Sequence, residues 1–283
     1  MKKSKRARST VAPRNMDCSL RDAFHTLKTK TIFTYDTARY PFRETVAAGL
    51  GVDPGTLATL NHLPSGKDLP DSTEATLALK ALYDDFVCNV IAPQIDAILP
   101  CGGTVVYQSL PCMRIHPGNS TALGPRHKDS DYEHQEGQIN FWLPLVTVSG
   151  PNTLYVETGE GTGVFEPLEM IYGQVARFYG NGCEHYTVAN TSCVTRVSFD
   201  FRVVPGPCYD SEHPSCKKFF VGPTSYYALA TVPSETQSGD KEMRERYPSW
   251  RFVPRTAFEV KNRSTMGLTR KSRRELPAGN LKT

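Results

Sequence analysis

The sequence predicts a mostly β protein with helices gathered on its N-terminal side. Three observations carry this. Residues 101–230 break into short apolar or alternating runs separated by Gly, Pro and Asn, the texture of an antiparallel sandwich or jelly roll. Residues 71–99 instead repeat apolar side chains at three- and four-residue steps, as an amphipathic helix does. The run VTRVSFDFRVV sets Val197, Phe199, Phe201 and Val203 on one face and Arg196, Ser198, Asp200 and Arg202 on the other. Such a strand faces either water or a polar cavity.

A chain of 283 residues is long enough for one large domain or two small ones. Its net charge is only +4, and much of the excess crowds the two ends, with Lys2, Lys3, Lys5, Arg6 and Arg8 at the start and Arg270, Lys271, Arg273 and Arg274 near the finish. These ends read as solvated tails, and nucleic acid is not the expected partner. No run of eighteen apolar residues occurs, so no membrane-spanning helix is expected. The basic start lacks the apolar stretch of a secretory signal. None of the eight cysteines sits in a CxxC pair, so reduced thiols in an intracellular, cytoplasmic protein are expected. The predicted layout is a basic disordered tail at 1–16, a helical segment at 17–100 packed on the core, a β core at 101–230 and an irregular basic extension at 231–283. Nothing in the sequence sets an oligomeric state.

Along the chain, 17–60 mixes short apolar groups with Gly and Pro, which predicts short helices and loops. GLGVDPG at 49–55 has the wrong spacing for a dinucleotide loop and no strand leads into it; no GK[ST] phosphate loop occurs either. Asp71 is placed to cap a helix, with Glu74 three residues on. Leu79, Leu82, Phe86, Val90 and Ile91 form its apolar face, and Pro93 should kink or restart it. After Gly102 and Gly103 come eight strand-like runs: TVVYQSL, CMRIHP, GQINFWLPLV, NTLYVET, GVFEPLEMI, QVARFYG, EHYTV and VTRVSFDFRVV. Beyond residue 205 regularity fades, although KKFFVGPTSYYALA can add a strand or a short helix.

The chemistry centres on PRHKDSDYEHQE at 125–136. In extended chain, residues two apart point the same way, so His127 and Asp129 present an imidazole and a carboxylate to one point. His185, in NGCEHYTV, is the candidate third ligand. Two histidines and one carboxylate on one face of an octahedron leave three adjacent positions open and suit non-haem Fe(II) oxygen chemistry. Chance supplies some HxD in roughly one such chain in three, so the surroundings must carry the case. Arg196 and Ser198 share the polar face of the run after His185. An arginine fork can grip a carboxylate through two parallel hydrogen bonds, which points to an anionic ligand held at both ends. Asp131 is a rival carboxylate, but its four-residue offset from His127 fits a strand poorly. Asp131 and Tyr132 either reach toward substrate or lie on a hydrated loop. Arg114 contacts an acidic substrate group or cosubstrate, or forms a structural ion pair. Arg202 is expected in a salt bridge at the barrel rim.

These residues also carry a family resemblance. HKDSDYEHQEGQINFWLPL, then NTLYVE, then GNGCEHYT and TRVSFDFRV resemble the Fe(II)/2-oxoglutarate-dependent oxygenases, and within them the branch typified by a streptomycin-biosynthesis oxygenase. The resemblance covers roughly 105–204. It implies a double-stranded β-helix (jelly-roll) core in which His127, Asp129 and His185 bind Fe(II). It further implies that Arg196, helped by Ser198, pairs with the distal carboxylate of 2-oxoglutarate, and that Asn140 makes a further cosubstrate contact. The implied reaction uses O2 to hydroxylate a C–H bond of a small polar metabolite, 2-oxoglutarate losing CO2 to become succinate. Arg114, Asp131, Tyr132 and Trp142 are the candidate substrate contacts. Two alternatives stand beside this reading. One is the same chemistry on a nucleic acid or protein, supported only by the basic ends. The other is a non-redox, cupin-like metal-binding jelly roll, which leaves Arg196 without a task.

Overall fold

The computed structural model describes residues 17–60, 74–101, 103–217, 226–231 and 251–252. The basic tail at 1–16, the expected cap at Asp71 and nearly all of 231–283 lie outside these residues.

Helix α1 (Cys18–Lys28) starts at Asp17, whose carboxylate accepts the Leu20 amide at 2.9 Å, and buries Phe24 and Leu27. This satisfies one of the amides a helix start leaves open. A short strand, β1 (Thr31–Thr34), follows; the helix-and-loop expectation for this region did not include it. Helix α2 (Phe42–Leu50) ends at Gly51, which adopts φ 69°, a left-handed cap that glycine enters without steric cost. Helix α3 (Glu74–Phe86) runs through a wide π turn (Val87–Ile91) into α4 (Ala92–Ile98). The wide turn sits where Pro93 would otherwise clash with the carbonyl four residues back and leave it without a donor. The expected restart at Pro93 is therefore observed. Leu79, Phe86 and Ile91 of the predicted face are buried.

Each of the eight strand-like runs yields a strand: β2 (Thr104–Gln108), β3 (Cys112–His116), β4 (Ile139–Pro144), β5 (Tyr155–Glu157), β6 (Phe165–Pro167), β7 (Gln174–Phe178), β8 (His185–Tyr186) and β9 (Arg196–Pro205). Two more, β10 (Tyr227–Thr231) and β11 (Arg251–Phe252), follow. The larger sheet has the antiparallel order β1-β7-β4-β9-β2-β10-β11, with β3 also paired to β9. The smaller has the order β6-β5-β8 and is extended by the bridges His127↔His185 and Ser120↔Asn190. Four strands on each side, β3-β9-β4-β7 against β6-β5-β8 and the 120–127 segment, make a jelly roll.

Strand β9 divides this architecture by its alternation. Its outward side chains pack beneath the helices: the Phe199 ring lies 5.1 Å from Phe42, and Phe201 lies 5.1 Å from Tyr83. Phe86 meets Phe42 at 5.2 Å across the same layer. Its polar row turns inward, with Arg196, Ser198 and Arg202 buried, so the water-facing option for such a strand is not the one taken. Among the described residues, no helix is long and apolar enough to cross a membrane. All eight cysteines are free, and Cys88, Cys101, Cys183 and Cys208 are buried.

Candidate metal centre

The two histidines meet through the backbone before they meet through their rings. His127 N–H donates to the His185 carbonyl at 3.2 Å, and His185 N–H returns the bond to the His127 carbonyl at 2.9 Å. Residues paired in this way project side chains to the same face of an antiparallel ladder, and the ring centroids lie 4.4 Å apart. Each Nδ1 donates to a carbonyl, His127 to Pro125 at 2.8 Å and His185 to Cys183 at 3.2 Å. That sets the tautomer and leaves both Nε2 lone pairs free for a metal. Burial, aided by the nearby His127, holds His185 below the ordinary histidine value despite the attraction of Asp129, which favours the neutral, ligating form.

Asp129 does not continue the strand. It opens a tight 3-10 turn (Asp129–Tyr132), while its amide donates to the Gly180 carbonyl at 2.8 Å. The turn swings the carboxylate beside the imidazoles, with Oδ1 3.8 Å from His185 Nε2. One ligand atom from each of His127, Asp129 and His185 lies within 4.8 Å of the other two. Two imidazoles and a carboxylate from one side form the donor set of a facial metal site, and it suits Fe(II).

Arg202 forms the expected salt bridge, but inside the barrel and not at its rim. It is 8% exposed and grips Asp129 with its fork, Nε to Oδ2 at 2.8 Å and Nη2 to Oδ1 at 3.1 Å. Its Nη1 is held by Gln108 Oε1 at 3.2 Å, Asp200 Oδ2 at 3.3 Å and the Tyr226 hydroxyl at 3.4 Å. Burial pushes the Asp129 carboxyl up, but the charge and hydrogen bonds of Arg202, with His185 and Asn140, outweigh it and leave the group well below the usual aspartate range. Asn140, expected to contact cosubstrate, stands beside the same carboxylate. Its Nδ2 donates to Asp129 Oδ2 at 2.7 Å and its Oδ1 accepts the Gly180 amide at 3.1 Å, so its hydrogen bonds go to the ligand carboxylate and its neighbour. Position 180 must be glycine for this approach, because a Cβ there would lie 2.6 Å from Asn140 Nδ2. The clue to both residues was alternation along β9 and β4; the missing information was that Asn140 and Arg202 are direct partners across the sheet.

Farther along the inward row, Arg196 is 2% exposed. Its Nη1 reaches the Thr153 carbonyl at 3.1 Å and the Asn152 carbonyl at 3.4 Å, and its charge lies 5.9 Å from the Trp142 ring. Burial pushes it down to about 10. Arg196 Nε and Ser198 Oγ are buried without partners, as is Nδ1 of His116, the residue opposite Arg196 on β3. The open donors Arg196 Nε and Ser198 Oγ fit an incoming carboxylate, whereas His116, whose Nε2 donates to the Thr121 carbonyl at 2.8 Å, keeps Nδ1 as an acceptor.

The four candidate substrate contacts separate. Trp142 is buried against Arg196. Asp131 is exposed and accepts the Lys128 amide through Oδ2 at 3.0 Å, a local cap. Tyr132 is 46% exposed, its ring centroid 5.1 Å from that of His127 in a T-shaped arrangement. The half-exposed Arg114 donates through Nε to Asp200 Oδ1 at 2.8 Å, which is the ion-pair option of the sequence reading.

No family model matches the chain. It is 33% identical to the streptomycin biosynthesis protein StrG of Streptomyces griseus over 132 residues, 47% of this chain and 59% of that protein. The chain thus spans about three-fifths of the length of this curated relative. Among solved structures, the nickel complex of the non-heme monooxygenase ThoJ aligns with a TM-score of 0.46 and 15% identity, over 65% of this chain and 77% of that one. Iron-bound EctD from S. alaskensis aligns with a TM-score of 0.45 and 15% identity, over 70% and 79%. In sequence, nearly half of this chain is thus similar to a streptomycin biosynthesis protein, and its own His127, Asp129 and His185 converge as a metal-binding set would.

Proposed function

We propose that this chain is a non-haem Fe(II)/2-oxoglutarate-dependent oxygenase that hydroxylates a C–H bond of a small polar metabolite. The observation that carries the reading is the convergence of three ligand atoms within 4.8 Å, from residues 58 positions apart in sequence at the extreme. The open donors of Arg196 and Ser198 on the same barrel interior support the dicarboxylic cosubstrate.

In this reading Nε2 of His127, Nε2 of His185 and Oδ1 of Asp129 hold the metal. Arg196 Nε and Ser198 Oγ donate to the distal carboxylate of 2-oxoglutarate, and Trp142 closes the guanidinium off from water. Bound iron with 2-oxoglutarate and O2 supplies the oxidising power for C–H cleavage, succinate and CO2 leaving as coproducts. Tyr132, standing open beside His127, is the chain's own contact toward substrate. Residues 101–230 form the oxygenase core in this proposal, and 17–100 form the helical layer packed on it.

The test is anaerobic titration of the protein with Fe(II) and 2-oxoglutarate, followed by a metabolite screen for succinate release. A weak visible charge-transfer band is expected in the wild type and is absent from His127→Ala. A wild-type protein that binds Fe(II) but is indifferent to 2-oxoglutarate would return the non-redox jelly-roll reading.

A further inference from the structure

Each oxygen of an ionised carboxylate has room for about two partners. On Asp129 the two oxygens are used unequally. Oδ2 receives both Arg202 Nε at 2.8 Å and Asn140 Nδ2 at 2.7 Å, which fills it. Oδ1 receives only Arg202 Nη2 at 3.1 Å, and it is the oxygen that lies 3.8 Å from His185 Nε2. An ion shared with the two imidazoles therefore finds one oxygen available.

We propose that Arg202, assisted by Asn140, is a positioning residue that restricts Asp129 to a single metal-binding oxygen and so keeps three adjacent coordination positions open. The inference rests on the metal centre proposed above but not on the identity of the cosubstrate. An unrestrained carboxylate readily binds a cation through both oxygens, and here the second oxygen would take a position that a chelating acid and O2 require. Arginine suits the task because its rigid planar fork engages both oxygens at fixed angles, which a lysine ammonium cannot do. The fork is itself immobilised, since Nη1 is pinned by Gln108, Asp200 and Tyr226. Asn140 is held in the matching orientation by the Gly180 amide. Restraint of a ligand by groups behind it is a general means of setting metal geometry.

The experiment uses the full chain, stripped of metal and titrated with Mn(II) alone, with water-proton relaxation reading both affinity and the number of exchangeable waters on the ion. The wild type should retain three. In Arg202→Gln and Arg202→Lys the released oxygen should displace one, lowering the inner-sphere relaxation by about a third with no weakening of Mn(II) binding. Asn140→Ala should move the count in the same direction and carries the comparison if the Arg202 variants do not fold. A purely structural role predicts weaker Mn(II) binding with the water count unchanged. Three waters on every folded variant overturn the proposal and leave the metal centre standing. A wild-type chain that binds no Mn(II) overturns both.

Discussion

Replacing Arg196 by methionine should stabilise the metal-free protein while abolishing its response to 2-oxoglutarate. The guanidinium is 2% exposed, and its bonded partners are two backbone carbonyls. Burial lowers it from the ordinary guanidinium value to about 10. At about 1.4 kcal/mol for each tenfold change, the charged form is disfavoured by roughly 3 kcal/mol. Methionine keeps the stem and its packing but strands the Asn152 and Thr153 carbonyls, which costs about 1–2 kcal/mol. The net expectation is a gain of about 1–2 kcal/mol at pH 7. Its pH dependence has a definite sign. The folded pKa lies below the unfolded one, so above about pH 10 the unfolded wild type binds more protons, and wild-type stability climbs with pH there. The advantage of the variant should shrink there. Urea unfolding of both metal-free proteins measures this. The same proteins loaded with Ni(II) test function: at a hundredfold excess over Kd, 2-oxoglutarate should stabilise the wild type by about 2.7 kcal/mol and the variant not at all. A variant that loses 1 kcal/mol or more, or that keeps the full response to 2-oxoglutarate, would refute the reasoning.

Other predictions follow from the same contacts. Arg202→Met strands a buried carboxylate and should cost about 3–5 kcal/mol at pH 7. Because Asp129 is held below the ordinary aspartate value, the contribution of the pair is fully present above about pH 4 and is lost as pH falls below it, so the deficit should narrow in acid denaturation curves. Phe86→Ala empties a fully buried site edged by Phe42 at 5.2 Å and Tyr40 at 5.1 Å; a loss of about 3–5 kcal/mol is expected from thermal unfolding. Burial pushes the Cys88, Cys101 and Cys208 thiols up to about 12 and Cys183 up to about 11. Ellman's reagent should therefore titrate the exposed Cys18 and Cys193 in the native state and reach those four only on unfolding.

Much of the β architecture is legible in the linear chain because alternation is a local property. A strand shows both its faces in its own residues, so β9 announced an apolar and a polar side before any partner was known, and the eight runs bounded by turn residues all became strands. The His127, Asp129 and His185 set was legible for a related reason: few side chains bind metals, and these three fall on segments that a jelly roll can bring together.

The remaining features depend on register and on local departures from it. TIFT at 31–34 is too short to declare itself, and it is a strand because β7 offers an open edge. Asp129 reaches the histidines through a turn, not through the extended geometry that first suggested it. Arg202 was visible as a polar residue on β9, but its role depends on Asn140 lying directly opposite and on Asp129 folding over both. Which residues share a face is written in the order of side chains along one strand. Which residues touch is decided by where two distant strands lock together, and a shift of one position would have turned Asn140 away from Asp129 altogether.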